Sequence, residues 1–148
     1  MLDKLQADLK ESMLARDRVR TDTIKSLKTA LMNERIKAGD DLSEDQQISV
    51  LQREAKKRKE SQDLYKKAGR DEQAKAEHKE FEIIQDYLPK QLTDEQLMDE
   101  AQAAVAELGI TSVQDMGRVM GYLSDRLKGQ ADNAKLAKIV RELLGGQK

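Results

Sequence analysis

The stretch Asp115-Met116-Gly117-Arg118-Val119-Met120-Gly121-Tyr122-Leu123-Ser124-Asp125-Arg126-Leu127-Lys128-Gly129-Gln130-Ala131-Asp132 decides how the rest of the chain reads. Met116, Met120, Leu123 and Leu127 recur at helical spacing, which predicts an amphipathic helix. Gly117 and Gly121 nevertheless sit inside it, one turn apart, and each costs about 1 kcal/mol relative to alanine in a helix interior. With Ser124 they form a ridge of small residues beside the apolar stripe. Such a ridge suits close approach by a neighbouring helix or by a nucleic-acid backbone, the helix being the simpler expectation.

The composition extends this helical reading to the whole chain. Its 148 residues allow one domain or two small ones. Charged residues make up 37%, against about 25% in an ordinary globular domain. Aromatic residues are 3% and there is one proline. Strands favour β-branched and aromatic side chains, whereas this mixture of Leu, Ala, Lys, Glu, Gln and Arg favours helices. The absence of cysteine rules out disulfides and thiolate chemistry, and is compatible with the cytosol. No apolar run approaches the ~18 residues of a membrane span. The N-terminus, Met1-Leu2-Asp3-Lys4-Leu5, is amphipathic and does not read as a signal peptide. The expectation is a soluble, cytoplasmic protein without a membrane partner.

Helix boundaries follow from stop and start signals. Leu2, Leu5, Leu9 and Met13 mark a first helix ending near Arg16-Asp17, and Ile24, Leu27 and Leu31 mark a second running out at Gly39. Ser43 and Gln46 make a capping box for a long third helix through Ile48, Leu51, Ala55 and Tyr65, stopped by Gly69. Asp71 is the expected cap of a fourth, with Ala74, Phe81, Ile84 and Leu88 on one face, ended by Pro89. Thr93 and Gln96 make a second capping box, opening a fifth helix through Leu97, Ala101, Val105 and Leu108. Ser112–Asp115 opens the glycine-bearing sixth. Asp132 caps a seventh through Leu136, Ile139, Val140 and Leu143, which Gly145-Gly146 terminates. The predicted fold class is therefore all-α. It comprises an N-terminal four-helix subdomain, residues 1–89, and a C-terminal three-helix bundle, residues 93–148.

Catalytic constellations are missing. The one histidine, His78, lies beside the Phe81 stripe and reads as a solvated or partly packed side chain. A nucleophile would have only His78 or a lysine as its base, no phosphate-cradling glycine loop is present, and zinc ligands are too few. No catalytic residue, metal or cofactor is expected. Charged residues fall in the apolar faces of the N-terminal helices, and these are rarely buried unless paired. They predict an ionic set of Arg20 and Arg58 against Glu34 and Glu77.

The 27 basic and 28 acidic side chains divide as 19 and 19 over residues 1–89 and 8 and 9 over residues 90–148. Any nucleic-acid contact must come from local patches. Residues 52–70 hold 8 basic and 3 acidic side chains. Arg53, Lys56, Lys57, Lys67 and Arg70 project to one broad face, either a solvated surface or a phosphate-contacting one. Lys135 and Lys138 share a face of the last helix and, with Arg118, Arg126, Lys128 and Arg141, make a second candidate patch. Lys128 and Lys135 flank a helix start, where free amides favour anions; Asp132 at the cap already takes those amides.

Asp115-Met116-Gly117-Arg118-Val119-Met120, Leu127-Lys128-Gly129-Gln130-Ala131-Asp132 and Val140-Arg141-Glu142-Leu143-Leu144 resemble the tail-domain signature of the GatB/YqeY family. Lys56-Lys57-Arg58-Lys59-Glu60-Ser61, Lys67-Ala68-Gly69-Arg70, Glu77 and Tyr87-Leu88-Pro89 resemble the N-terminal half of its stand-alone YqeY-like members. Asn133 departs from the Gly or Pro often found after the Ala-Asp pair, which affects the turn only. The resemblance implies two helical subdomains, the second similar to the tail of the B subunit of the tRNA-dependent amidotransferase. There the tail helps hold tRNA while other domains carry the chemistry. It implies a tRNA-binding accessory module, with an amidotransferase or an aminoacyl-tRNA synthetase as a possible protein partner. Stand-alone members are labelled by association with carbon–nitrogen ligation using glutamine as amide donor. This chain shows neither an amidase Ser–Ser–Lys framework nor an ATP site. Two alternatives stay open: a helix-docking adaptor using Gly117 and Gly121, and an amidotransferase in its own right, which glutaminase activity of the purified chain would reveal.

Overall fold

A computed structural model describes residues 1–145. Among the described residues the chain is all-helical, without strands. The helices are α1 (Leu2–Leu14), α2 (Arg18–Ala38), α3 (Glu44–Lys67), α4 (Asp71–Gln85), α5 (Asp94–Leu108), α6 (Met116–Leu127) and α7 (Asn133–Gly145), with a 3₁₀ turn, Val113–Asp115, ahead of α6. The chain divides into two compact units, Met1–Leu88 and Pro89–Lys148.

The punctuation does what the chemistry of the termini requires. Both capping boxes form. Ser43 Oγ accepts from the Gln46 amide at 3.2 Å while Gln46 Oε1 accepts from the Ser43 amide at 2.8 Å. Thr93 and Gln96 repeat the exchange at 3.1 and 2.9 Å. Each box satisfies two amides that would otherwise lack partners. Gly39 and Gly109 end α2 and α5 at φ of 74° and 63°, a left-handed conformation that a side chain would strain.

Three local expectations need correction. Arg70, not Asp71, is the N-cap of α4, and it makes no side-chain cap bond. Asp71 stands one residue further in, where its charge still favours the positive helix end. α4 ends at Gln85, four residues before Pro89, and the chain leaves through a turn in which the Tyr87 amide donates to Ile84 O at 3.0 Å. The buried stripe of α6 is Val119, Leu123 and Leu127. Met116 and Met120 are half-buried at its edge, so the wheel is turned slightly from the Met–Leu stripe. The Gly146 half of the terminal stop lies outside the described residues.

In the first unit α1 packs along α2, α3 along α4, and α2 meets both α3 and α4. Leu5, Leu9, Ile24, Leu27, Leu31, Leu51 and Ile84 form its core. Burying a leucine or isoleucine contributes about 1.5–3 kcal/mol each. Buried Ser12 is satisfied locally: its hydroxyl donates to Leu9 O at 2.9 Å and accepts from Thr21 Oγ1 at 2.9 Å. In the second unit α5, α6 and α7 pack pairwise around Leu97, Ala101, Val119, Leu123, Leu136 and Val140.

Candidate nucleic-acid interface

The third-helix patch is partly neutralised by its own neighbours. Arg53 pairs with Glu34 of α2 at 3.2 Å, and Lys57 with Glu54 at 3.7 Å. Lys59 lies 6.0 Å from the Phe81 ring centroid, over its face. Arg70 lies beyond the end of α3 at Lys67, as the N-cap of α4, and its amide donates to Tyr65 O of α3 at 2.8 Å. Lys56 is exposed on α3.

The C-terminal patch divides in two. Arg126 Nε donates to Glu100 of α5 at 2.8 Å, a bond that holds its guanidinium still more firmly protonated. Lys135 pairs with Asp94, also on α5. Tyr122 Oη donates to Glu107 at 2.6 Å, and that bond raises the phenol's pKa. The acidic helix α5 thus occupies the cations beside it. Arg118, Lys128, Lys138 and Arg141 are exposed and make no ion pair among the described residues.

Lys128 is set in an unusual place. It closes α6 at φ 20° and ψ 82°, a positive φ on a residue with a side chain. The surrounding turn is fixed by several hydrogen bonds. The Leu92 amide donates to Gln130 O at 2.9 Å, Gln91 Nε2 to Gly129 O at 2.7 Å, and Gln130 Nε2 to Lys90 O at 3.3 Å. Ala131 is buried beneath it. Asp132 then caps α7, its side chain accepting the Ala134 amide at 3.0 Å. These bonds hold Lys128 outward on a strained backbone. Because Asp132 takes the amide, the turn offers a lysine and not a free helix start.

The glycine ridge lies open. Gly117 and Gly121 are exposed, and a Cβ added at either would meet nothing within 4 Å. The second unit supplies no neighbouring helix to this ridge, because α6 turns Val119, Leu123 and Leu127 inward.

The ionic set in the first unit forms with exchanged partners. Arg58 meets Glu77 at 3.5 Å, as its position on the apolar face implied, and Glu80 at the same distance. Arg20 reaches Asp8 of α1 at 3.9 Å, and Glu34 is taken by Arg53. A helical wheel gives the face of a charge but not which helix lies opposite. Glu77 Oε2 is buried without a hydrogen bond. Burial raises the Glu80 carboxyl above its ordinary pKa; Arg58 opposes the shift and Glu77 adds to it. Tyr87 donates to Asp8, and burial first, then that bond, raises its pKa. His78 is half exposed, with Nδ1 3.3 Å from Gln62 Oε1 and Nε2 2.7 Å from Glu82. Among the described residues no acidic or histidine cluster could hold a metal, and no helix is long and apolar enough to cross a membrane.

Two comparisons bear on kinship. A protein of Pyrenophora tritici-repentis (strain Pt-1C-BFP), "Altered inheritance of mitochondria protein 41, mitochondrial", is 25% identical over 149 residues, covering 99% of this chain and 82% of that protein. The family model described as Yqey-like protein matches residues 2–144, which takes in both helical units. The chain belongs to the YqeY-like family.

Proposed function

We propose that this protein is an RNA-binding accessory module with no chemistry of its own, and that its ligand is tRNA. The observation that carries the reading is the set Arg118, Lys128, Lys138 and Arg141, exposed and free of ion pairs among the described residues, in a unit where α5 engages Arg126 and Lys135. Cations left unpaired in water can neutralise phosphates and release the counterions condensed on the nucleic acid. The resemblance of the second unit to the amidotransferase B-subunit tail supports tRNA over other RNAs. It also supports an amidotransferase or an aminoacyl-tRNA synthetase as the enzyme served.

The test is fluorescence anisotropy of labelled tRNA at about 50 and 200 mM salt. Four phosphate contacts predict affinity falling about a hundredfold across that range, with folded tRNA preferred over a duplex of equal charge. Absence of binding at the lower salt would overturn the reading. A second reading, a helix-docking adaptor, is favoured by the open Gly117–Gly121 ridge. It predicts that Gly121→Leu abolishes a protein association and leaves tRNA binding intact.

A further inference from the structure

The hairpin of α3 and α4 carries a pocket of about 450 Å³, lined by Gln62 and Lys66 of α3 and by Asp71, Ala74, Lys75 and His78 of α4. That volume falls within the ~300–1,000 Å³ of small-molecule sites. The pocket lies in the first unit and does not rest on the RNA reading, whose cations belong to the second.

His78 forms one wall, and its ring is fixed in orientation. Gln62 meets Nδ1 and Glu82 meets Nε2. Phe81 stacks along one face, with ring centroids 6.3 Å apart and planes at 27°, and does not line the pocket. The side chain is nevertheless 46% exposed. What stays open is the other face, turned to the pocket beside buried Ala74. A flat ring pinned at both nitrogens with one bare face is a stacking platform.

The charge around the platform points to an anion. Lys66, in the last turn of α3, and Lys75, in the second turn of α4, are exposed and make no ion pair among the described residues. Residues 62–82 hold six acids, and three of them are committed: Glu77 and Glu80 to Arg58, Glu82 to His78. The remaining three, Asp63, Asp71 and Glu72, are set against five cations, Lys66, Lys67, Arg70, Lys75 and Lys79. Of those three acids Asp71 alone lines the pocket. Its carboxylate accepts hydrogen bonds, which suits a ligand that carries hydroxyls as well as an anion. α4 begins at the same residue without a side-chain cap, so the positive end of that helix adjoins the space.

We propose that this pocket binds a nucleoside monophosphate, with the base stacked on His78, the phosphate on Lys66 and Lys75, and the ribose hydroxyls donating to Asp71. A free nucleotide and the unpaired end of an RNA share this chemistry. One platform fits one nucleotide, whereas a strand needs a row of stacking rings.

The test uses the full chain, whose one histidine gives unambiguous ring-proton NMR signals. At fixed pH, adenosine 5′-monophosphate should move the His78 signals upfield and saturably, because a stacked base shields the ring. Ribose 5-phosphate, which carries the phosphate without the base, should not. Lys66→Gln with Lys75→Gln should weaken the nucleotide about tenfold and leave the weaker binding of adenosine unchanged. By calorimetry, His78→Ala should lose about tenfold, and His78→Phe, which keeps a ring, should lose less. An RNA hairpin with one unpaired 3′ adenosine, set against its blunt counterpart, separates the two sources. Upfield movement with the overhang as well as with the free nucleotide assigns an RNA end; movement with the free nucleotide alone assigns a metabolite. No movement at millimolar adenosine 5′-monophosphate, equal movement with ribose 5-phosphate, or full affinity in His78→Ala would overturn the proposal.

Discussion

At the scale of single residues, Glu80 has the clearest pH signature. Its folded-state pKa is raised, chiefly by burial, so the folded chain holds that proton more tightly than the unfolded chain does. The associated stability is full below the ordinary glutamate range and is lost as pH rises through the raised value. Glu80→Gln removes the loss. The variant should melt above the parent at about pH 7, with the gap closing by about pH 4; an equal gap at both would show that titration is not the cause. Gly121 offers a second residue-scale test. A Cβ there meets nothing, so Gly121→Ala should stabilise α6 by up to about 1 kcal/mol, read as a higher Tm. A lower Tm would mean the ridge is filled in solution. The sequence disclosed which charges lie on apolar faces, yet named the wrong partners for Arg20 and Glu34. Charge positions are local information, whereas partner choice depends on which helices meet.

At the scale of elements, the caps were the most legible part. Ser43/Gln46 and Thr93/Gln96 formed as read, because a capping box is a contact within four residues and needs no tertiary knowledge. Ser43→Ala should cost about 1 kcal/mol, visible as a reduced Tm. Asp71 misled because the same residue type serves as a cap or as a first-turn anion, and the two positions are adjacent. The basic patches were half legible. Lysines and arginines can be counted in a sequence, but α5 decides which stay available. Lys135→Glu should therefore cost less tRNA affinity than Lys138→Glu, since Lys135 is already paired with Asp94. Equal losses in anisotropy titrations would mean that the Asp94 pair opens on binding. The strained Lys128 had no sequence signal beyond the glycine after it; its φ follows from the bonds that tie the turn to residues 90–92.

At the scale of the whole molecule, the near balance of charge hides an uneven distribution. The second unit holds 8 basic and 9 acidic side chains, yet α5 alone contributes Asp94, Glu95, Asp99, Glu100 and Glu107 and no cation. Net charge would therefore predict indifference to RNA where the surface of α6 and α7 predicts affinity. The packing of α1 has a separate outcome for how the molecule breathes. A helix with one helical neighbour has fewer contacts to lose than α2, which is held by three. Amide hydrogens of Leu5 and Leu9, though buried, should exchange through a partial opening well before those of Ile24 and Leu27. Trypsin under native conditions should make its early cut near Arg16 and Arg18. The chain would then spend a small fraction of its time as a first unit shorn of its leading helix, with the α2 side that α1 covers briefly bare.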